Sequence, residues 1–183
     1  MTGIIILIFI VIIFIAYILS SCKELKELRQ MRNSCLDNLC RALELRYNVM
    51  QDMIDFSKGY VEDENRFVAK LLQIKLVSPI ERVGLDADVV KDLKNLIFEI
   101  GNVPALCDSQ KFKDLRCQLA KAEKAIFEAK NNLNERSNEF NELINRFPKN
   151  IASRICGFKK VSTYEIKFIS RWNDWKNLYK RKL

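Results

Sequence analysis

A chain of 183 residues has room for about one domain with a core of its own once a membrane segment is set aside. It contains no histidine, which excludes Ser-His-Asp and Cys-His nucleophilic systems and histidine-based metal sites; its five glycines are scattered singly and build neither a phosphate-cradling loop nor a dinucleotide fingerprint. The net charge of +8 is unevenly placed, and that asymmetry bears on location more than on chemistry.

The first predicted element is the unbroken apolar run Gly3 to Leu19, GIIILIFIVIIFIAYIL. It approaches the roughly 20 residues, at about 1.5 Å each, that cross a hydrocarbon core, so a single spanning helix is expected over about 3–19 within an anchor of residues 1–22. A cleaved signal peptide usually carries a basic amino-terminal region, and no Lys or Arg precedes this run; a buried core helix is rarely so uniform. Lys23, Lys26, Arg29 and Arg32 follow it within thirteen residues. Positive flanks stay in the cytoplasm, so the amino terminus is expected outside and the rest on the inner face of the cell membrane. The alternative is that Leu19-Ser20-Ser21-Cys22 acts as a lipoprotein box, with lipidation at Cys22 and an extracytoplasmic location.

From Leu25 to Tyr60, positions 25, 28, 32, 35, 39, 42, 46, 49, 53, 56 and 60 alternate steps of three and four and are apolar or nearly so except at Arg32 and Arg46. The pattern returns as Phe112, Leu115, Leu119, Ala122, Ile126, Ala129, Leu133, Arg136, Phe140, Leu143 and Phe147, with Arg136 the polar exception. Two long helices are therefore predicted, the second capped by Asp108 or Ser109 and stopped before Pro148. Between them Gly59 breaks the chain, and Glu62, Asp63 and Glu64 suit the positive start of a helix over about 62–76. Ser78 and Pro79 are expected to end it. A third helix over about 86–100 turns Val89, Val90, Leu93, Leu96, Ile97 and Ile100 inward, closed by Gly101, Asn102 and Pro104. The fold class is all-α: a single-pass transmembrane helix followed over 23–158 by an elongated antiparallel four-helix bundle with two long and two shorter helices.

Arg32, Arg46 and Arg136 fall on the seams, where a buried charge costs several kcal/mol unless paired, so carboxylate partners are expected. Glu123, Glu128, Glu135, Glu139 and Glu142 lie off the seam and are expected in water. The six cysteines, Cys22, Cys35, Cys40, Cys107, Cys117 and Cys156, show no zinc or redox spacing and are read as small core or surface residues in a reducing compartment. No catalytic, cofactor-binding or metal-ligating residue is predicted.

Residues 45–67, LRYNVMQDMIDFSKGYVEDENRF, resemble the first-helix signature of LemA family proteins: Arg46-Tyr47-Asn48 stands for an Arg-Tyr-Asp motif, Lys58-Gly59-Tyr60 for a turn, and Glu64 opens the next helix. Residues 111–158 are similar to the family's long helix, with Phe112, Glu123, Ala129-Lys130, Phe140-Asn141, Phe147-Pro148 and Gly157-Phe158. The resemblance spans most of 23–158. It implies an amino-terminal membrane helix with its amino terminus outside, a cytoplasmic four-helix bundle and no settled enzymatic activity. Gln51, Asp63 and Leu133 depart from the family's usual Pro, His and Tyr, and the departure at Asp63 removes the one family histidine on which chemistry might have been argued.

The tail, 159–183, carries eight basic residues against Glu165 and Asp174, a net +6. Phe168, Trp172, Trp175, Tyr179 and Leu183 recur at helical spacing beside Arg171, Lys176, Lys180, Arg181 and Lys182. Contact with anionic lipid is one reading, a last helix packed with its basic side in water another, and nucleic acid a third that a membrane anchor disfavours. The expected role is that of a non-catalytic scaffold or adaptor, alone or as a homo-oligomer, with a protein partner of unknown identity. The alternative is an enzyme or small-ligand receptor using Arg, Glu and Cys.

Overall fold

The structure, a computed structural model, describes residues 2–61, 64–77 and 79–164. Among these the elements are helices: α1 (Thr2–Ser57), α2 (Glu64–Leu76), α3 (Pro79–Asn102), α4 (Pro104–Cys107), α5 (Gln110–Asn145) and α6 (Lys149–Ile155). Contacts divide the described residues into two units, one within 2–36 and 131–163, the other within 37–130 and including 164.

α1 carries the apolar run and continues past it without a break; it is the one described helix long and apolar enough to cross a membrane. Residues 4–17 are exposed along their whole length, whereas Ile18 is half-buried and Ser21 buried, so the folded part of the first unit reaches the last turn of the run. Below it Leu25 and Leu28 pack with Phe140 and Ile144 of α5, and Leu143, Phe158 and Val161 close over them. Phe158 meets Phe140 edge-on, with ring centroids 6.0 Å apart. Arg32 pairs with Ser137, while the earlier Glu24 pairs with the later Lys149, so the strands of this contact run antiparallel.

A short return completes the unit. After α5 a cis Phe147–Pro148 peptide leads into α6. α6 ends in a Schellman cap: the Phe158 amide donates to the Ser153 carbonyl at 2.8 Å, that of Gly157 donates to Arg154 at 3.3 Å, and Gly157 takes φ +70°, open to a residue without Cβ. The cap turns Phe158 back onto Phe140. Asn141 then holds Val161 through both of its backbone groups, at 2.8 and 2.9 Å.

In the second unit α1 buries Leu39, Leu43, Tyr47, Met50, Met53 and Ile54. Phe56 stacks on Phe112 near the start of α5, whose cap is Ser109 accepting from the Phe112 amide at 3.2 Å. α2 and α3 pack together and are bridged by Arg66–Asp92 at 3.1 Å and Lys70–Asp88 at 3.8 Å. The six residues of α3 expected to face inward are all buried.

Four expectations need correction. α3 begins at Pro79, because proline's missing donor and fixed φ suit the first helical position; it starts this helix instead of only ending the previous one. Tyr60 and Phe147 leave the core, one in the turn after α1 and the other beyond α5. Arg136 is half-exposed and pairs with Glu139 on its own helix at 2.7 Å, while Ser137 is fully buried. A straight helix drifts by about 20° per heptad against a repeat of seven, which carries the inward column from 129, 136 and 143 to 137 and 144 while 126, 133 and 140 stay inside. Finally, Cys22 and Cys156 are joined by a disulfide and are not the unpaired residues expected; Cys35, Cys40, Cys107 and Cys117 form no disulfide.

This register makes a direct prediction. Phe140→Ala should cost about 3–5 kcal/mol of stability as a cavity in a closed cluster, and Phe147→Ala less than about 0.5 kcal/mol as a surface change. Urea unfolding of the full chain in detergent, followed by circular dichroism, distinguishes them.

Candidate functional site

The most concentrated chemistry in the second unit is an ionic cluster about a fully buried arginine. Arg46 sits on the inward column of α1, and its NH1 donates to Oδ1 of the equally buried Asp86 on α3. Its other edge faces α5, with Nε 2.7 Å from Glu123 Oε1 and NH2 donating to Oε2 at 3.2 Å. A planar guanidinium reaches two carboxylates from two edges, which a lysine could not do. The cluster thus joins three helices at one point.

One cation faces two carboxylates, and the two differ in their access to water. Glu123 is partly exposed, so its excess charge can be hydrated. Asp86 is not, and its Oδ2 is buried and accepts no hydrogen bond among the described residues. Burial pushes the Asp86 carboxyl above the usual carboxylate range, against the attraction and hydrogen bond of Arg46. The arrangement fixes the register of three helices, because each carboxylate has to meet its own edge of the guanidinium.

The other seam arginines fare differently. Arg32 is nearly buried and donates to neutral oxygens, Ser137 Oγ at 3.2 Å and Asn33 Oδ1 at 3.4 Å. Arg136 lies at the surface, and the hydrogen bond from its guanidinium to Glu139 raises its pKa further. Of the carboxylates expected in water, Glu123 is the exception, drawn inward by Arg46.

The second concentration lies in the first unit beside the apolar run. The Cys22–Cys156 disulfide, with a Cα–Cα separation of 6.5 Å, ties α1 to the end of α6. Lys149 pairs with Glu24, and Ser153 Oγ donates toward the Ile144 carbonyl at 3.1 Å. A diacylglyceryl thioether at Cys22 would need the same sulfur that the disulfide uses. Among the described residues no three or more Cys, Asp or Glu side chains gather as a metal site.

The tail residues singled out from the sequence, Phe168, Arg171, Trp172, Trp175, Lys176, Tyr179, Lys180, Arg181 and Lys182, lie outside the described residues, as do Glu62 and Asp63. Sequence reasoning missed Asp86, read as the start of a helix. Its spacing from Val83 and Val89 marks it as inward once α3 begins at Pro79. It also missed the pairing of Cys156, for which no spacing signal exists across 134 residues.

Arg46→Met should destabilise the full chain by about 3–5 kcal/mol, since Asp86 is left buried without its cation. Adding Asp86→Leu should recover most of that loss. A carboxyl whose folded pKa is raised contributes stability that is complete below its unfolded pKa and lost as pH rises through the folded one. The penalty of Arg46→Met should therefore be smallest in acid and grow toward neutrality, as read by urea unfolding at several pH values. A pH-independent penalty would mean that Asp86 does not carry it.

Beyond this geometry, the sequence profile described as LemA family matches residues 36–173. No curated protein matches the chain significantly. The matched stretch contains the Arg46, Asp86 and Glu123 cluster, the whole of α2 to α6 and the first part of the tail. It covers well over half of the sequence, and the chain belongs to the LemA family.

Proposed function

We propose that this protein is a non-catalytic scaffold or adaptor held at the cytoplasmic face of the cell membrane, its α1 spanning the bilayer and continuing into a four-helix bundle. The observation that carries this reading is the unbroken passage of α1 from an exposed apolar run into faces buried in folded units, so that anchor and fold share one rod. The four basic residues that follow the run, with none before it, favour a cytoplasmic fold. The buried charge cluster about Arg46 joins three helices, which supports a structural role.

A second reading has a specific observation in its favour. Disulfides persist in oxidising compartments, and Cys22–Cys156 fits a fold outside the cytoplasm. Cys117 is free and exposed, which makes it a reporter for both readings. A membrane-impermeant maleimide should leave Cys117 unlabelled in intact cells and label it after permeabilisation; labelling in intact cells would overturn the cytoplasmic assignment and establish the second reading. For the non-catalytic role, the melting temperature of the purified full chain should be unmoved by a panel of small metabolites. A saturable, ligand-dependent rise lost in Arg46→Met would favour a receptor or enzyme instead.

A further inference from the structure

Lipid contact is one reading of the tail sequence, and the first unit presents another candidate for it. Its register can be followed residue by residue. Ser137 lies opposite Arg32, Phe140 and Ile144 opposite Leu28 and Leu25, and Lys149 opposite Glu24, so α5 climbs toward the apolar run and α6 lies across its foot. Cys22 is three residues past Leu19, roughly 4.5 Å along a helix rising about 1.5 Å per residue. The headgroup layer is about 5–8 Å thick on each side of the hydrocarbon core. Cys156, bonded to Cys22, is therefore held at headgroup depth, and its neighbour Ile155 with it.

The side chains at this end match that setting. Phe147 is 75% exposed and Ile155 65%, both large and apolar, and both at the end of the unit nearest the span. Arg146 and Arg154 are exposed beside them. Glu24 at this end is paired with Lys149, while Glu27 and Glu142 lie about a turn farther from the run. Single exposed apolar residues are ordinary on a protein surface. Two of them with adjacent arginines, fixed by a covalent bond beside the exit of an apolar helix, form the pattern of an interfacial element.

We propose that the α5–α6 turn and α6 form a second bilayer contact, with Phe147 and Ile155 entering the lipid interface and Arg154 meeting anionic headgroups. The proposal rests on α1 being a membrane span. The contact would fix the rotation and tilt of α1, because a helix held at its exit by a side element can no longer turn freely about its axis.

The test places the photoreactive residue p-benzoylphenylalanine singly at positions 147, 155, 10 and 98 of the full chain in nanodiscs of phosphatidylethanolamine and phosphatidylglycerol. Phospholipid adducts are then measured by mass spectrometry. All four sites are exposed and tolerate the probe. Adduct yields at 147 and 155 should approach that at position 10 and exceed that at 98, in the second unit, several-fold. Yields no higher than at 98, with position 10 reacting normally, would overturn the contact while leaving the anchor standing. Failure at position 10 as well would remove the anchor and the proposal together. Arg154→Glu should lower the yield at 155 several-fold in these discs and leave it unchanged in phosphatidylcholine; an equal yield in both would remove the headgroup interaction.

Discussion

Because α1 runs from Thr2 to Ser57 without a break, every segment that packs on it must meet it in a phase set by 3.6 residues per turn. The apolar run imposes no phase of its own, since it is greasy all round. The first phase-setting residues are Ser21, Leu25 and Leu28, which begin at the point where the helix leaves the run. From there Leu39, Ala42, Arg46, Val49 and Met53 follow on the same inward stripe. A proline or glycine between Leu19 and Leu25 would uncouple anchor from fold, and neither residue occurs there.

A stripe of leucines alone allows α3 and α5 to slide by a turn at small cost. Arg46 removes that freedom, because its two edges require carboxylates at defined heights on two different helices, and a slip of about 5.4 Å would strand a charge in the core. The three seam arginines show how position decides the outcome. Arg46 lies where two acidic residues can reach it and is fully buried; Arg32 is satisfied by neutral oxygens; Arg136 is rotated out by helix drift and takes a partner from its own surface. Only the first binds helices together through charge.

Most of the helical plan was legible in the sequence, since apolar spacing of three and four needs no tertiary knowledge. The seam of α1 and the inward face of α3 emerged residue by residue, and a carboxylate partner for Arg46 followed from the cost of burying it. What escaped depends on geometry that a strict heptad ignores. The inward column of α5 shifts after Leu133, so Ser137 and Ile144 replace Arg136 and Leu143, a drift too slow to register within one heptad. Pro79 was read as a stop although proline is equally a first residue of helices, and this single choice concealed Asp86. The Cys22–Cys156 pair was invisible for a different reason: it depends on α6 folding back across α1, and nothing local to either cysteine encodes that return.

The same pair bears on how far sulfur can decide the compartment. Glu24–Lys149 joins α6 to α1 directly, and the Ser153–Ile144 hydrogen bond and the Phe158–Phe140 contact hold the α6 return onto α5, so closing the bond requires little further ordering of the folded chain. Its effect falls instead on the unfolded state, where a loop of more than 100 residues is constrained by roughly 5 kcal/mol in the chain-entropy account. A reduced Cys22 would keep a polar neighbour, the Ala152 carbonyl 3.7 Å away, and the surrounding packing would not depend on the bond. The bond therefore adds a covalent tie to a return that noncovalent contacts also hold. In the cytoplasmic reading proposed above, orientation is set by the basic residues after the run while the helix inserts, before the state of Cys22 can bear on it.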